Sequence, residues 1–106
     1  MTGLLIRAAL ACVLACTMSA AQADVQTAKA KMCAVCHGEF GISVLPNAPS
    51  LAGQPEIYLA EQLKAYRSGK RSDETMSVIA KPLTDAEIAD LAAWFASIPI
   101  EAKPPK

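Results

Sequence analysis

The clearest pattern of apolar and polar positions lies near the end of the chain. Ile88, Leu91, Ala92 and Phe95 recur at i, i+3, i+4 and i+7, which places them on one face of a helix, and Trp94 and Ile98 widen the stripe. Thr84-Asp85-Ala86-Glu87 precedes them as a T-x-x-E capping box, in which each end can satisfy a free backbone N–H of the other. Pro99 closes the helix, and a loose tail follows to Lys106. Upstream, Leu59, Leu63 and Tyr66 keep helical spacing over residues 55–68, between Pro55, suited to a first turn, and Gly69, a natural stop. Residues 76–81 predict a short helical piece that Pro82 interrupts. Residues 25–36 are good helix formers and stop at Gly38, and residues 38–54, with Gly41, Pro46, Asn47, Pro49 and Gly53, read as a loop. No stretch has the strand period. The pattern predicts an all-α fold of about four helices in a single domain, residues 24–106.

The N-terminus has a different character. Residues 8–18 are an almost unbroken apolar run behind Arg7, and Ala21-Gln22-Ala23 is an A-x-A cleavage signal. Residues 1–23 therefore read as a secretory signal peptide cleaved after Ala23, which directs the mature chain to the periplasm. The run is shorter than the roughly 20 residues a permanent membrane helix needs. A buried N-terminal helix and a lipid anchor at Cys16, through a loose Val13-Leu14-Ala15-Cys16 box, are the competing readings.

Size and charge narrow the function. The 83 residues from Asp24 to Lys106 carry nine basic and ten acidic side chains, which gives no polyanion-binding surface and argues against a nucleic-acid partner. A chain this short is marginal with a purely apolar core and calls for a staple such as a metal or cofactor. Cys12 and Cys16 fall in the segment to be removed, so only Cys33 and Cys36 are left.

Those two cysteines stand in Cys33-Ala34-Val35-Cys36-His37, the C-x-x-C-H pattern of covalent c-type haem attachment. Two thiols one helical turn apart can each add to a haem vinyl group, and the next histidine is then held beneath the iron as proximal ligand. His37 is the only histidine in the chain. A thioredoxin-like thiol pair would normally sit in a βαβ setting. A zinc site needs four ligands, and the chain after His37 has neither cysteine nor histidine. For the sixth ligand the candidates reduce to Met76. Met1 and Met18 go with the signal, and Met32 adjoins Cys33, which ties it to the attachment helix. A gap-filling core role is the ordinary reading of such a methionine. His/Met ligation favours reduced iron and raises the potential.

The chain resembles class I c-type cytochromes, in particular small single-haem c-553 types and one half of cytochrome c4. Four blocks carry the resemblance: Cys33 to Gly38, Pro49-Ser-Leu-Ala-Gly-Gln54, Tyr58 to Leu63 with Arg67 to Arg71, and Met76 followed by Leu83 to Phe95. It implies a small cytochrome c fold wrapped around one haem. It further implies that the Pro49 carbonyl accepts the Nδ1 proton of His37 and that Leu51 packs on the haem. Leu91 and Trp94 fall where the last helix crosses the first, and Tyr66, Arg67 and Arg71 are candidates for the propionates. The family often has a glycine where this chain has Gln26, so the helix crossing is expected to shift towards Ala28 or Ala30.

The function expected is one-electron transfer by an iron cycling between Fe(II) and Fe(III), with no catalysis. The partners are redox proteins, a dehydrogenase or cytochrome complex upstream and an oxidase or reductase downstream. A dedicated haem subunit of one periplasmic oxidoreductase is the first alternative. A sensor with an open sixth site and a thiol redox protein are the others.

Overall fold

The computed structural model describes residues 28–106, so the signal-peptide assignment and Gln26 lie outside the described residues. Four helices follow in order and no strand occurs among the described residues: α1 (28–37), α2 (Glu56–Ser68), α3 (Met76–Ala80) and α4 (Asp85–Ser97). The all-α expectation holds, and each helix boundary from the end of α1 onward falls within two residues of its predicted place; the expected start of α1 at Val25 lies outside the described residues.

Local chemistry explains the boundaries. Helix α1 ends where Gly38 turns to φ +87, with its N–H donating to the Ala34 carbonyl at 2.9 Å. Pro55 sits just before α2, and its carbonyl accepts the Leu59 N–H at 3.0 Å. Gly69 ends α2 in the left-handed region at φ +81. At α4 the capping box forms only in part. The Glu87 N–H donates to Thr84 Oγ1 at 3.1 Å, but the Glu87 carboxylate reaches across to Lys29 Nζ at 3.2 Å and so ties α4 to α1.

The stripe on α4 becomes the centre of the core. Ile88, Leu91, Ala92 and Phe95 are buried together with Ala30, Leu59, Ala80 and Leu83. Ile88 is completely buried, and burying a side chain of that size contributes about 1.5–3 kcal/mol. Helix α2 packs against both α4 and α3. The small residue at the α1 contact is Ala30, buried in the core, whereas Ala28 is exposed. Trp94 departs from expectation. It is 41% exposed and stands outside the core, because Leu91 and Phe95 already fill the inward face of α4.

The long loop between α1 and α2 is docked rather than free. The Gly53 N–H donates to the Phe95 carbonyl at 3.0 Å, and the Gly41 carbonyl accepts from both Leu51 and Ala52. Arg67 braces the other side of the molecule, donating to the Leu83 carbonyl at 3.0 Å and to Asp85 Oδ1 at 2.6 Å.

Candidate haem site

All four helices and the loop contribute to one cavity of about 250 Å³. Met32, Cys33, Cys36 and His37 of α1 border it, with Pro49 and Leu51 from the loop. Tyr58, Leu59, Leu63 and Tyr66 come from α2, Met76 and Ile79 from α3, and Leu91, Ala92 and Phe95 from α4. Every site residue singled out in the sequence therefore borders the same space: Cys33, Cys36, His37, Pro49, Leu51 and Met76. Met32 borders it too, from the same helix as His37.

The attachment motif occupies the last turn of α1. Cys33 is half-buried and Cys36 exposed. Burial pushes the Cys33 thiol above its ordinary pKa, against smaller downward pulls from a backbone hydrogen bond and the Lys29 ammonium. His37 is the buried polar residue of the core region. Its Nδ1 lies 2.7 Å from the Pro49 carbonyl oxygen. A carbonyl can only accept, so Nδ1 carries a proton, and in the neutral imidazole this leaves the lone pair on Nε2. That is the tautomer a metal-binding imidazole requires, with the ring oriented by a partner behind it.

Met76 opens α3, and its position depends on Asp73. The Asp73 carboxylate accepts the N–H groups of both Thr75 (2.9 Å) and Met76 (2.8 Å), while the Asp73 N–H donates to Ser77 Oγ at 3.0 Å. Hydrogen bonds from Met76 and Thr75 hold the Asp73 carboxyl below the usual carboxylate range. Sequence reasoning read this stretch only as a polar turn. The available signal was an aspartate two and three residues ahead of the first helical amides.

Polar lining groups gather in one corner. Arg71 Nη1 donates to Gln62 Oε1 at 2.6 Å, and its guanidinium lies 4.7 Å from the centre of the Tyr66 ring. Tyr66 and Arg71 thus stand at the cavity, whereas Arg67 is turned away into its brace with Leu83 and Asp85. Gln62 was not assigned to the site, although it lies four residues from both Tyr58 and Tyr66 and so shares their line along α2.

The donor set fits a haem. Among the described residues no group of three or more His, Cys, Asp or Glu side chains could hold a metal ion. A largely apolar slot with paired thiols at one edge, a correctly tautomerised imidazole and a cationic corner suits a plate that brings its own ring nitrogens and carboxylates.

The family model for cytochrome c matches residues 22–99. The chain belongs to the cytochrome c family. This cytochrome is 44% identical over 79 residues to cytochrome c4 of Pseudomonas aeruginosa, a match covering 74% of this chain and 39% of that one. It is 39% identical over 77 residues to the thiosulfate dehydrogenase electron acceptor of Thiomonas intermedia, covering 72% of this chain and 36% of that one. Among solved structures, cytochrome c4 of Acidithiobacillus ferrooxidans superposes with a TM-score of 0.60 at 39% identity, covering 62% of this chain and 38% of that one. The chain spans about two fifths of the length of these relatives. As a member of the family it binds haem c covalently through Cys33 and Cys36.

Proposed function

We propose that residues 24–106 form a one-haem electron carrier of the periplasm, in which His37 and Met76 would hold the haem iron. Bound in the cavity, the haem supplies an iron that alternates between Fe(II) and Fe(III), one electron at a time. The protein's part is to hold and tune it. Pro49 fixes the His37 ring through Nδ1 and raises the basicity of Nε2. Leu51, Leu59 and Phe95 keep water from the ring faces, and Asp73 sets the backbone from which Met76 reaches inward. The observation that carries this reading is the 2.7 Å bond from His37 to Pro49 inside a cavity that Met76 also borders. Were His37 and Met76 both to hold the iron, substrate would have no place on it, as suits a carrier rather than an enzyme. Export is supported by the A-x-A signal, and among the described residues no helix is long and apolar enough to cross a membrane.

The test is Met76→Ala, examined by reduced-minus-oxidised spectrum and midpoint potential. The potential is expected to fall and the spectrum to change, because a thioether ligand stabilises the reduced iron. An unchanged spectrum and potential would remove Met76 from the iron and favour an open sixth site.

A second reading is favoured by the name of the Thiomonas relative: service as dedicated electron acceptor to one dehydrogenase rather than as a general carrier. Stoichiometric co-purification with a single oxidoreductase supports it, and equal reduction by several unrelated donors excludes it.

A further inference from the structure

The bond from His37 to Pro49 is made by a loop with little packing of its own. Residues 44–47 and Ser50 are exposed, so side-chain burial along the loop does little to aim the Pro49 carbonyl. The proline ring fixes φ of Pro49. The direction of its carbonyl therefore depends on ψ alone, which is set by where the chain places Ser50. Ser50 is held at two points. Its Oγ accepts the Ser43 N–H at 3.0 Å, and its carbonyl accepts from Gln54 Nε2 at 2.7 Å.

Ser43 in turn holds the other partner. The Cys36 carbonyl is among the last of α1, which have no acceptor role within the helix, and it belongs to the same peptide unit as the His37 N–H. Ser43 Oγ donates to it at 3.1 Å; the Leu45 carbonyl, at 3.3 Å, is the farther acceptor for the same proton. The Leu45 N–H donates to Ser43 Oγ at 3.1 Å and fills an acceptor site on that oxygen. Ser43 therefore grips the residue before His37 and the residue after Pro49. The two serines run in series from one side of the imidazole bond to the other. The Gly41 carbonyl, which accepts from Leu51 and Ala52, ties the loop only beyond Ser50.

We propose that Ser43 and Ser50 are positioning residues for electron transfer: as a hydrogen-bonded clasp between Cys36 and Pro49 they hold the Pro49 carbonyl on His37 Nδ1, and thereby set the basicity of Nε2 and the midpoint potential. This rests on the reading of His37 as an iron ligand given above. Neither serine borders the haem cavity, so both act through His37 and Pro49. The direction of the effect follows from ligand chemistry. A slackened clasp weakens the bond to Nδ1 and makes Nε2 a poorer donor. Oxidised iron depends on that donation more than reduced iron does, so the potential rises.

Ser43→Ala and Ser50→Ala each cut one link and are compared as holoproteins by two readouts. The first is solvent exchange of the His37 Nδ1 proton, followed by NMR in the reduced protein; the second is the midpoint potential. Exchange is expected to quicken about two- to tenfold in either variant, the factor that one hydrogen bond is worth, and the potential to rise. Because the links are in series, the double variant should change no more than either single one. Ser43→Thr keeps the hydroxyl and should hold both readouts at wild-type values. Ser97→Ala removes a serine hydroxyl that donates to the Trp94 carbonyl at 2.7 Å on α4, and as the control it should leave both unchanged. The proposal is overturned if the two alanine variants at the clasp exchange like wild type, if the potential stays or falls, if their effects add in the double variant, if Ser43→Thr behaves like Ser43→Ala, or if Ser97→Ala has the same effect. In each of these cases a His37 Nδ1 proton shifted by the porphyrin ring current in reduced wild type keeps His37 on the iron. Its absence takes His37 off the iron and overturns both readings.

Discussion

The two helix-ending glycines provide an internally controlled experiment on the attachment site. Gly38 and Gly69 have nearly the same backbone angle, φ +87 and +81, so alanine meets the same conformational cost at each, about 1–2 kcal/mol. Their surroundings differ. A Cβ on Gly38 would lie 2.0 Å from the Ile42 carbonyl oxygen and 2.6 Å from its carbon, while one on Gly69 would meet nothing within 4 Å. The obstacle at Gly38 is backbone, so no rotamer relieves it. The loop must move, at the expense of the bonds from Gly41 to Gly38 and from Ser43 to Cys36, each worth about 0.5–1.5 kcal/mol net. Gly69→Ala is therefore expected to cost about 1–2 kcal/mol and Gly38→Ala about 2–5 kcal/mol. The loss of unfolded-chain entropy is common to both and cancels in the comparison. Urea unfolding of the holoproteins, followed by far-UV circular dichroism, gives both values. If the two variants fall within about 0.5 kcal/mol of one another, below the cost of one lost hydrogen bond, the loop is not clamped against α1 as described.

Other expectations follow from the same structure. Ile88→Ala removes a fully buried side chain at the centre of the core and should destabilise the holoprotein by about 2–5 kcal/mol in the same unfolding assay. A Cys33→Ala/Cys36→Ala variant, shown by mass and absorbance to be haem-free, should lack a cooperative melt by circular dichroism, because much of the apolar lining needs the haem as its packing partner. Asp73 has a folded pKa below its unfolded one, so its contribution is present above the ordinary carboxylate range and is lost as pH falls through the depressed folded value. Thermal melts of wild type and Asp73→Asn should accordingly differ at neutral pH and converge at strongly acid pH; a gap that widens on acidification would contradict the carboxylate's role.

Much of this fold was legible because its determinants are local. The α4 stripe, Gly38, Gly69 and Pro55 are statements about neighbours in sequence, and helix boundaries follow from them. The attachment motif was legible for the same reason, since three functional groups fall within five consecutive residues. What depended on distant partners was not. Glu87 was assigned to its own cap, but Lys29 competes for its carboxylate from another helix. Arg67 and Arg71 look equivalent along the chain, yet one faces Leu83 and the other the cavity, a difference set by the packing of α2 and not by residue type. Trp94 is the reverse case: it is the largest apolar residue on its helix, but α4 offers its partners a narrow face, and Leu91 and Phe95 occupy it.

The brace made by Arg67 has a consequence for how the segment that carries Met76, the proposed iron ligand, can vary. The guanidinium grips the Leu83 carbonyl sixteen positions along the chain, and the Arg71 N–H returns to the Ala65 carbonyl at 3.1 Å. The stretch carrying Met76 thus has both feet planted on α2, like a handle riveted at its two ends. Doubling the length of such a closed loop costs only about 0.6 kcal/mol in closure entropy. The handle can be swapped for one of another length, and the sulfur re-aimed, while the thioether end of the molecule stays as it is.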